Sequence, residues 1–277
     1  MIEVRGLRKR YPGGTYALRG IDLALEEKAT AVLGRNGAGK TTMLRILSTQ
    51  LLPTSGHATI DGYDVVREAD KLRKKMVSIP QEAGPLGYLT PEEHIKIYLT
   101  ARGMSFSTAR QETMRVMKEI GLWEARNKTA DELSGGMKRK IFVGMAMASN
   151  AEIIFLDEPT VGLDPISRLE VWSALRKLGS KMVLTTHYIE EAKELTKDIV
   201  MIDEGRMKAH GTVERLLRKS AGMVRVESTG GEKGDYNIGG TSISYVRARE
   251  ASRYAQRGYV VKPVDLEDLF IMKGDGK

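Results

Sequence analysis

Gly34-Arg35-Asn36-Gly37-Ala38-Gly39-Lys40-Thr41-Thr42 fits the phosphate-loop pattern GxxxxGK[ST] without a gap. The apolar run Ala29 to Leu33 before it reads as a buried strand. Met43, Leu44, Ile46 and Leu47 after it recur at helical spacing, so a helix is expected from Lys40 to about Thr49. Glycines let the backbone curl so that several N–H groups converge on an anion, and the helix N-terminus adds unpaired donors and the positive end of its dipole. In that context Lys40 reaches β- and γ-phosphates and the Thr41 hydroxyl ligates Mg²⁺.

A second element is Ile153-Ile154-Phe155-Leu156-Asp157-Glu158, an apolar strand ending in two carboxylates. Asp157 suits Mg²⁺ held through water, and Glu158 is placed to orient or deprotonate an attacking water. A third is Leu133-Ser134-Gly135-Gly136-Met137, followed by the basic helix start Lys138-Arg139-Lys140. Ser134 is a good N-cap and two glycines bare the backbone. Taken alone, this stretch is equally an ordinary helix start and a second anion site made of N–H groups and the Ser134 hydroxyl.

Composition narrows the class. The 277 residues contain no cysteine, which excludes disulfides and thiolate metal sites. Met1-Ile2-Glu3-Val4-Arg5 lacks the apolar core of a signal peptide, and no apolar run approaches the ~20 residues of a bilayer span. A soluble, cytosolic protein is expected. The net charge of +8 would suit nucleic acid or an anionic membrane face. Yet Arg8-Lys9-Arg10 and Arg73-Lys74-Lys75 are short and lack interleaved aromatics, so they read as solvated faces.

Along the chain, residues 2–25 read as two strands with a turn at Tyr11-Pro12-Gly13-Gly14. Pro53-Thr54-Ser55-Gly56 is a turn, and His57 to Ile60 and Tyr63 to Val66 are short strands around Asp61-Gly62. Met76 to Ile79 is a buried strand. From Glu82 to about Asn150 the pattern is helical. Thr90-Pro91-Glu92-Glu93 is a capping box, and Ile95, Tyr98 and Leu99 share a face. A second helix carries Thr113, Val116, Met117 and Ile120. A third follows Gly135-Gly136. Strand and helix then alternate: Ile153 to Leu156, a helix after Asp164-Pro165 with Leu169, Trp172 and Leu175 on one face, Met182 to Thr185, and Ile189 to Leu195. Asp203-Glu204-Gly205 marks a hairpin, and Thr212 caps a short helix. The expected fold is α/β: a phosphate-loop NTPase core with a mainly parallel sheet, an antiparallel β subdomain and an inserted helical subdomain. The parts are residues 1–82 (core with the phosphate loop), 83–150 (helical), 151–219 (rest of the core) and 220–277. This last part is an appendix punctuated by Gly230-Gly231, Gly234 and Gly239-Gly240.

Phosphate loop, Gln81 after a strand, LSGG, the FLDEP strand with Thr160, Gly162-Leu163-Asp164-Pro165, and His187 after a Thr-Thr strand end follow the order of an ABC-transporter ATPase subunit. The chain resembles that family over residues 2–218. The resemblance implies a head-to-tail homodimer or heterodimer of cassettes, with ATP and Mg²⁺ between the phosphate loop of one (Gly34, Asn36, Gly37, Ala38, Gly39, Lys40, Thr41, Thr42) and Ser134, Gly135 and Gly136 of the other. It implies that Tyr11 stacks on adenine, with Tyr16 as rival; either tyrosine equally reads as strand packing. It implies that Gln81 senses Mg²⁺ and the γ-phosphate, that Asp164 crosses the dimer interface while also reading as an N-cap, and that His187 is the γ-phosphate switch. Glu158, His187, Gln81 and Lys40 form the catalytic set, and Thr41, Gln81 and Asp157 the metal set. A separate transmembrane permease is implied, with the ATPase peripheral on the cytoplasmic face of the membrane and no nucleic acid partner. Arg35 stands where proline is common in the family, and Glu27-Lys28 replaces the usual Gly-Glu turn. LSGGMKRK and the tail from Lys262 to Phe270 resemble ATPases paired with drug- or polysaccharide-type exporters. The alternative is an ATPase of this class that acts on nucleic acid or ribosomes. His57, His94 and His210 match no site and read as surface or turn residues.

Overall fold

Two strands with alternating burial open the chain, β1 (Ile2–Arg10) and β2 (Tyr16–Leu25), paired antiparallel. The largely apolar β3 (Ala29–Leu33) leads through the phosphate loop into α1 (Lys40–Leu47). There follow β4 (Ser55–Ile60), β5 (Tyr63–Asp64), α2 (Ala69–Lys75) and β6 (Met76–Ile79), then the helices α3 (Pro91–Ala101), α4 (Phe106–Glu119) and α5 (Gly135–Ala148). Alternation resumes with β7 (Ile153–Asp157), α6 (Pro165–Leu175), β8 (Lys181–Thr186), α7 (Ile189–Leu195), β9 (Asp198–Asp203) and β10 (Arg206–Gly211). The computed structural model describes residues 1–228 and 234–273; the Gly230-Gly231 marker lies outside the described residues.

The antiparallel sheet has the order β2-β1-β4-β5 and the six-stranded sheet the order β10-β9-β3-β8-β7-β6. In the latter, β9, β3, β8, β7 and β6 run parallel. Helix α1 packs against strands of both sheets. One core results: Ile2, Leu18, Ile21 and Leu25 from one sheet, Val32, Phe155, Val183 and Val200 from the other, with Met43, Leu44, Ile46 and Leu47 of α1. Burial on this scale, at about 25 cal/mol per Å² of apolar surface, drives the assembly. Helices α3, α4 and α5 pack on one another, and α5 also packs on α6.

The chain divides into two units, Met1–Met207 and Lys208–Lys277. The second holds α8 (Val213–Leu217), β11 (Met223–Ser228), β12 (Tyr236–Ile238), β13 (Thr241–Arg247), α9 (Ala251–Gln256), β14 (Val260–Pro263) and α10 (Leu266–Lys273). Its sheet has the order β12-β13-β11-β14, antiparallel throughout. Buried Asp268 on α10 accepts from Arg225 at 3.1 Å and Tyr245 at 2.9 Å; burial, with that carboxylate beside it, pushes the Tyr245 phenol above its usual range.

Several local expectations are corrected. The strand expected over Tyr63 to Val66 stops at Asp64, whose Oδ1 accepts the Val66 and Arg67 N–H groups at 2.8 Å each and turns the chain. Helix α2, with Asp70 in its first turn and Arg73, Lys74 and Lys75 in its last, was not expected; it buries only Leu72, too little for an apolar period. Leu169 is exposed, and the buried face of α6 is Val171, Trp172, Ala174 and Leu175. His94 is not a surface or turn residue but is buried: Nε2 accepts the Leu86 N–H at 2.8 Å and Nδ1 lies 2.8 Å from the Thr90 carbonyl. A neutral imidazole carrying its proton on Nδ1 satisfies both.

Candidate functional site

Register places the site. Leu33 pairs with Thr186, Asp157 with Thr185, and Ile79 with Leu156, so β3, β8, β7 and β6 end level with one another. The phosphate loop, His187, Glu158 and Gln81 are each the next turn of chain beyond those ends. A crevice at the carboxyl ends of parallel strands is where α/β sheets bind ligands. Here a cleft of about 480 Å³ is lined by Tyr11, Tyr16, Asn36 to Thr42, Gln81, Glu158 and His187, among others.

The loop conformation is dictated by glycine at two positions. Gly39 has φ +103°, and a Cβ there would fall 2.4 Å from the Ala17 carbonyl oxygen. A Cβ on Gly34 would fall 2.3 Å from the Ile202 carbonyl oxygen. Gly39 is also the N-cap of α1, and no side chain caps that end, so its N–H groups face the cleft without a protein acceptor from a cap.

Lys40 is buried, with Nζ 3.0 Å from Glu158 Oε1 and donating to the carbonyls of Gly34 (2.9 Å) and Arg35 (3.2 Å). Glu158 Oε2 lies 2.8 Å from His187 Nδ1. Asp157 Oδ1 accepts from Thr41 Oγ1 at 3.0 Å and Thr185 Oγ1 at 2.5 Å, while the Glu158 N–H donates to Thr185 Oγ1 at 3.0 Å. Thr185, which the motif reading passed over as part of a Thr-Thr strand end, therefore ties both acids together. Glu158 has φ +47°, a left-handed backbone that costs a non-glycine residue roughly 1–2 kcal/mol. Thr41 and Asp157 offer hard oxygen donors 3.0 Å apart and Gln81 lines the same cleft as Thr41, a set that fits Mg²⁺, which takes few protein ligands and keeps water and phosphate oxygens. Among the described residues no group of three His, Cys, Asp or Glu gathers as a metal cage.

Both tyrosine candidates line the cleft. Tyr11 Oη is 3.3 Å from Thr42 Oγ1, with Lys9 Nζ 5.5 Å from its ring centre; Arg10 and Arg19 lie over Tyr16 at 5.4 and 5.9 Å. Ser134 and Gly135 do not reach this cleft. Exposed, they form the tip of α5, where Ser134 Oγ accepts the Met137 N–H at 3.2 Å. Asp164 caps α6 by accepting the Ile166 and Ser167 N–H groups at 3.0 Å each; the Ser167 hydroxyl and N–H hold its carboxyl below the usual range. Arg139 is a further residue that the sequence reading folded into a basic helix start.

Comparison with known proteins gives the family and the fold. The family model described as "ABC transporter" matches residues 18–161. The daunorubicin resistance ATP-binding protein DrrA3 of Streptomyces coeruleorubidus is 38% identical over 80% of this chain and 71% of its own. The phospholipid-transporting ATPase ABCA7 of Homo sapiens is 35% identical over 93% of this chain, which spans only 12% of that protein. Among solved structures, the dimeric post-hydrolysis state of the ATP-binding cassette MJ0796 bound to ADP and Pi aligns with TM-score 0.68 at 27% identity, covering 76% of this chain and 98% of that one.

Proposed function

The chain belongs to the ABC transporter family of ATP-binding proteins, and from that premise we propose that two copies of it close on two ATP molecules, hydrolyse them, and thereby drive a separate permease. The observation that supports this best is the convergence of Lys40, Thr41, Glu158, Gln81 and His187 on one cleft, with Asp157 bonded to Thr41 behind it, while the chain's other anion-binding element, the tip of α5, is exposed elsewhere. One chain thus holds two halves of a phosphate grip that do not meet within it.

In this reading the phosphate loop and Lys40 hold the β- and γ-phosphates, and Tyr11, with a single cation over its ring, is the adenine platform. Phosphate competes with Glu158 for the Lys40 ammonium and so releases Oε1 toward water. Water oxygen bonds to the γ-phosphorus, the bond from that phosphorus to the ADP oxygen breaks, and Glu158 accepts the water's proton. Thr41, Asp157 and Gln81 would hold Mg²⁺, which would supply charge neutralisation for the phosphates. His187, 2.8 Å from Glu158 through Nδ1 and with its ring tilted 40° to that of Tyr188 at 4.0 Å, is placed to contact the γ-phosphate. Ser134, Gly135 and Gly136 come from the second copy, with Asp164 alongside the interface.

The stretch between Gln81 and Ile97 exposes Leu86, Tyr88 and Ile97, apolar groups that suit a membrane partner; the cassette would sit on the cytoplasmic face of the membrane. No helix among the described residues is long and apolar enough to cross a membrane. The relatives named for drug resistance favour export. The basic runs favour no nucleic acid, since Lys9, Arg10, Arg73 and Lys75 each bond within the chain.

The test is steady-state Mg-ATP turnover with nucleotide affinity measured alongside. Glu158→Gln is expected to bind ATP as the parent does and to turn over at least 100-fold more slowly, on the order of the loss when a positioned base is removed. Parental turnover in that variant would remove Glu158 from the chemistry.

A further inference from the structure

Arg139 lies on the first turns of α5, the helix that Ser134 caps, and its guanidinium spends all five of its N–H groups on backbone carbonyls. Nε donates to Pro159 at 2.8 Å, and Nη2 to Asp157 and Glu158 at 3.2 Å each. Nη1 donates to Pro80 at 3.4 Å and Gln81 at 3.3 Å. These acceptors are the last residue of β7 and the turns that follow β6 and β7. Burial pulls the guanidinium below its ordinary pKa, while Glu191 and Asp157 act in the opposite direction. Glu191 is fully buried on α7, just past His187. Its Oε1 accepts from Thr160 Oγ1 at 2.5 Å and Trp172 Nε1 at 3.0 Å, and its Oε2 has no hydrogen-bond partner. The neighbouring cations behave differently: Lys140 pairs with Glu170 at 2.8 Å, across to α6.

A guanidinium used only to fix α5 to the core would find any nearby acceptors. Here every acceptor belongs to the end of β7 or to the two turns that present Gln81 and Glu158. Glu158 needs such support, because its left-handed backbone is unfavourable for a side chain. Its N–H is held by Thr185 and its carbonyl by Arg139, which fixes the backbone from which the carboxylate reaches Lys40 and His187. We propose that Arg139 is a positioning residue for hydrolysis: it locks the Gln81 and Glu158 turns into one frame and makes that frame move with α5, whose tip meets the second copy's nucleotide. The fork is what matters, since a lysine ammonium cannot span carbonyls on two strand ends.

This inference rests on the catalytic reading of Glu158, and the experiment separates the two. Arg139→Gln and Arg139→Lys are assayed for turnover, nucleotide affinity and unfolding midpoint, alone and in the Glu158→Gln background. In the parent background each is expected to lower kcat by roughly 10- to 100-fold with KM within about threefold, the signature of misplaced rather than missing chemistry. In the Glu158→Gln background neither should slow the residual rate further. Arg139→Lys carries the test if Arg139→Gln does not fold. Parental kcat, a loss of affinity alone, or the same fold-loss in both backgrounds would overturn the positioning role. Full activity of Glu158→Gln itself would instead overturn the reading beneath it.

Discussion

At the scale of single residues, Glu158 is the most constrained group in the cleft: a carboxylate shared between Lys40 and His187 on a backbone of positive φ. Gly135 is constrained differently. A Cβ there would meet nothing closer than the Leu163 Cδ2 at 3.4 Å, whereas one on Gly136 would lie 2.6 Å from the Ser167 Cβ. Gly136→Ala therefore damages the chain's own packing, at about 1–3 kcal/mol for an overpacked site. Gly135→Asp does not; an acid in the first turn of a helix is mildly stabilising, by about 0.3–1 kcal/mol. Its carboxylate would, however, repel a phosphate brought to the helix tip. Gly135→Asp is expected to keep or raise the unfolding midpoint and single-chain ATP binding while losing turnover. Parental turnover would show that no phosphate reaches Gly135.

At the scale of elements, α3 shows how a local signal holds a loop near the cleft. Thr90 Oγ1 accepts the Glu93 N–H at 3.2 Å, and Glu93 Oε2 accepts the Thr90 N–H at 2.8 Å. Thr90→Ala should cost about 1 kcal/mol in a denaturant titration at neutral pH. The Thr90 N–H, then its hydroxyl, holds the Glu93 carboxyl below its ordinary value. That half of the cap is therefore present above the ordinary glutamate value and lost as the pH falls through the lowered one. A Glu93→Gln variant should converge on the parent's stability in acid and fall below it at neutral pH. The capping box, the phosphate-loop strand and helix, and the hairpin at Glu204 and Gly205, both at positive φ, were legible because each is written in adjacent residues. Helix α2 was not, since one buried leucine makes no period. The loop role of His94 was not either, because its partners, Leu86 and Thr90, offer only backbone groups that no side-chain pattern records. Arg139 was missed for the same reason, since it bonds five backbone carbonyls; Thr185 was missed because strand register alone brings it to the Asp157 carboxylate.

At the scale of the molecule, each unit was legible to a different degree. Met1–Met207 announces itself through motifs strung on level strand ends. The four-stranded sheet in Lys208–Lys277 depends on long-range pairing such as Val224 with both Val246 and Pro263, which short alternating runs do not specify. The central claim concerns more than one chain: the γ-phosphate is gripped by Lys40 and its neighbours in one copy and by the tip of α5 in another. Sedimentation equilibrium of the Glu158→Gln variant, with and without Mg-ATP, tests it most directly. The account predicts a mass that doubles on adding Mg-ATP and stays single when Gly135→Asp is also present. A single-chain mass at saturating Mg-ATP, or doubling that ignores Gly135→Asp, would contradict it.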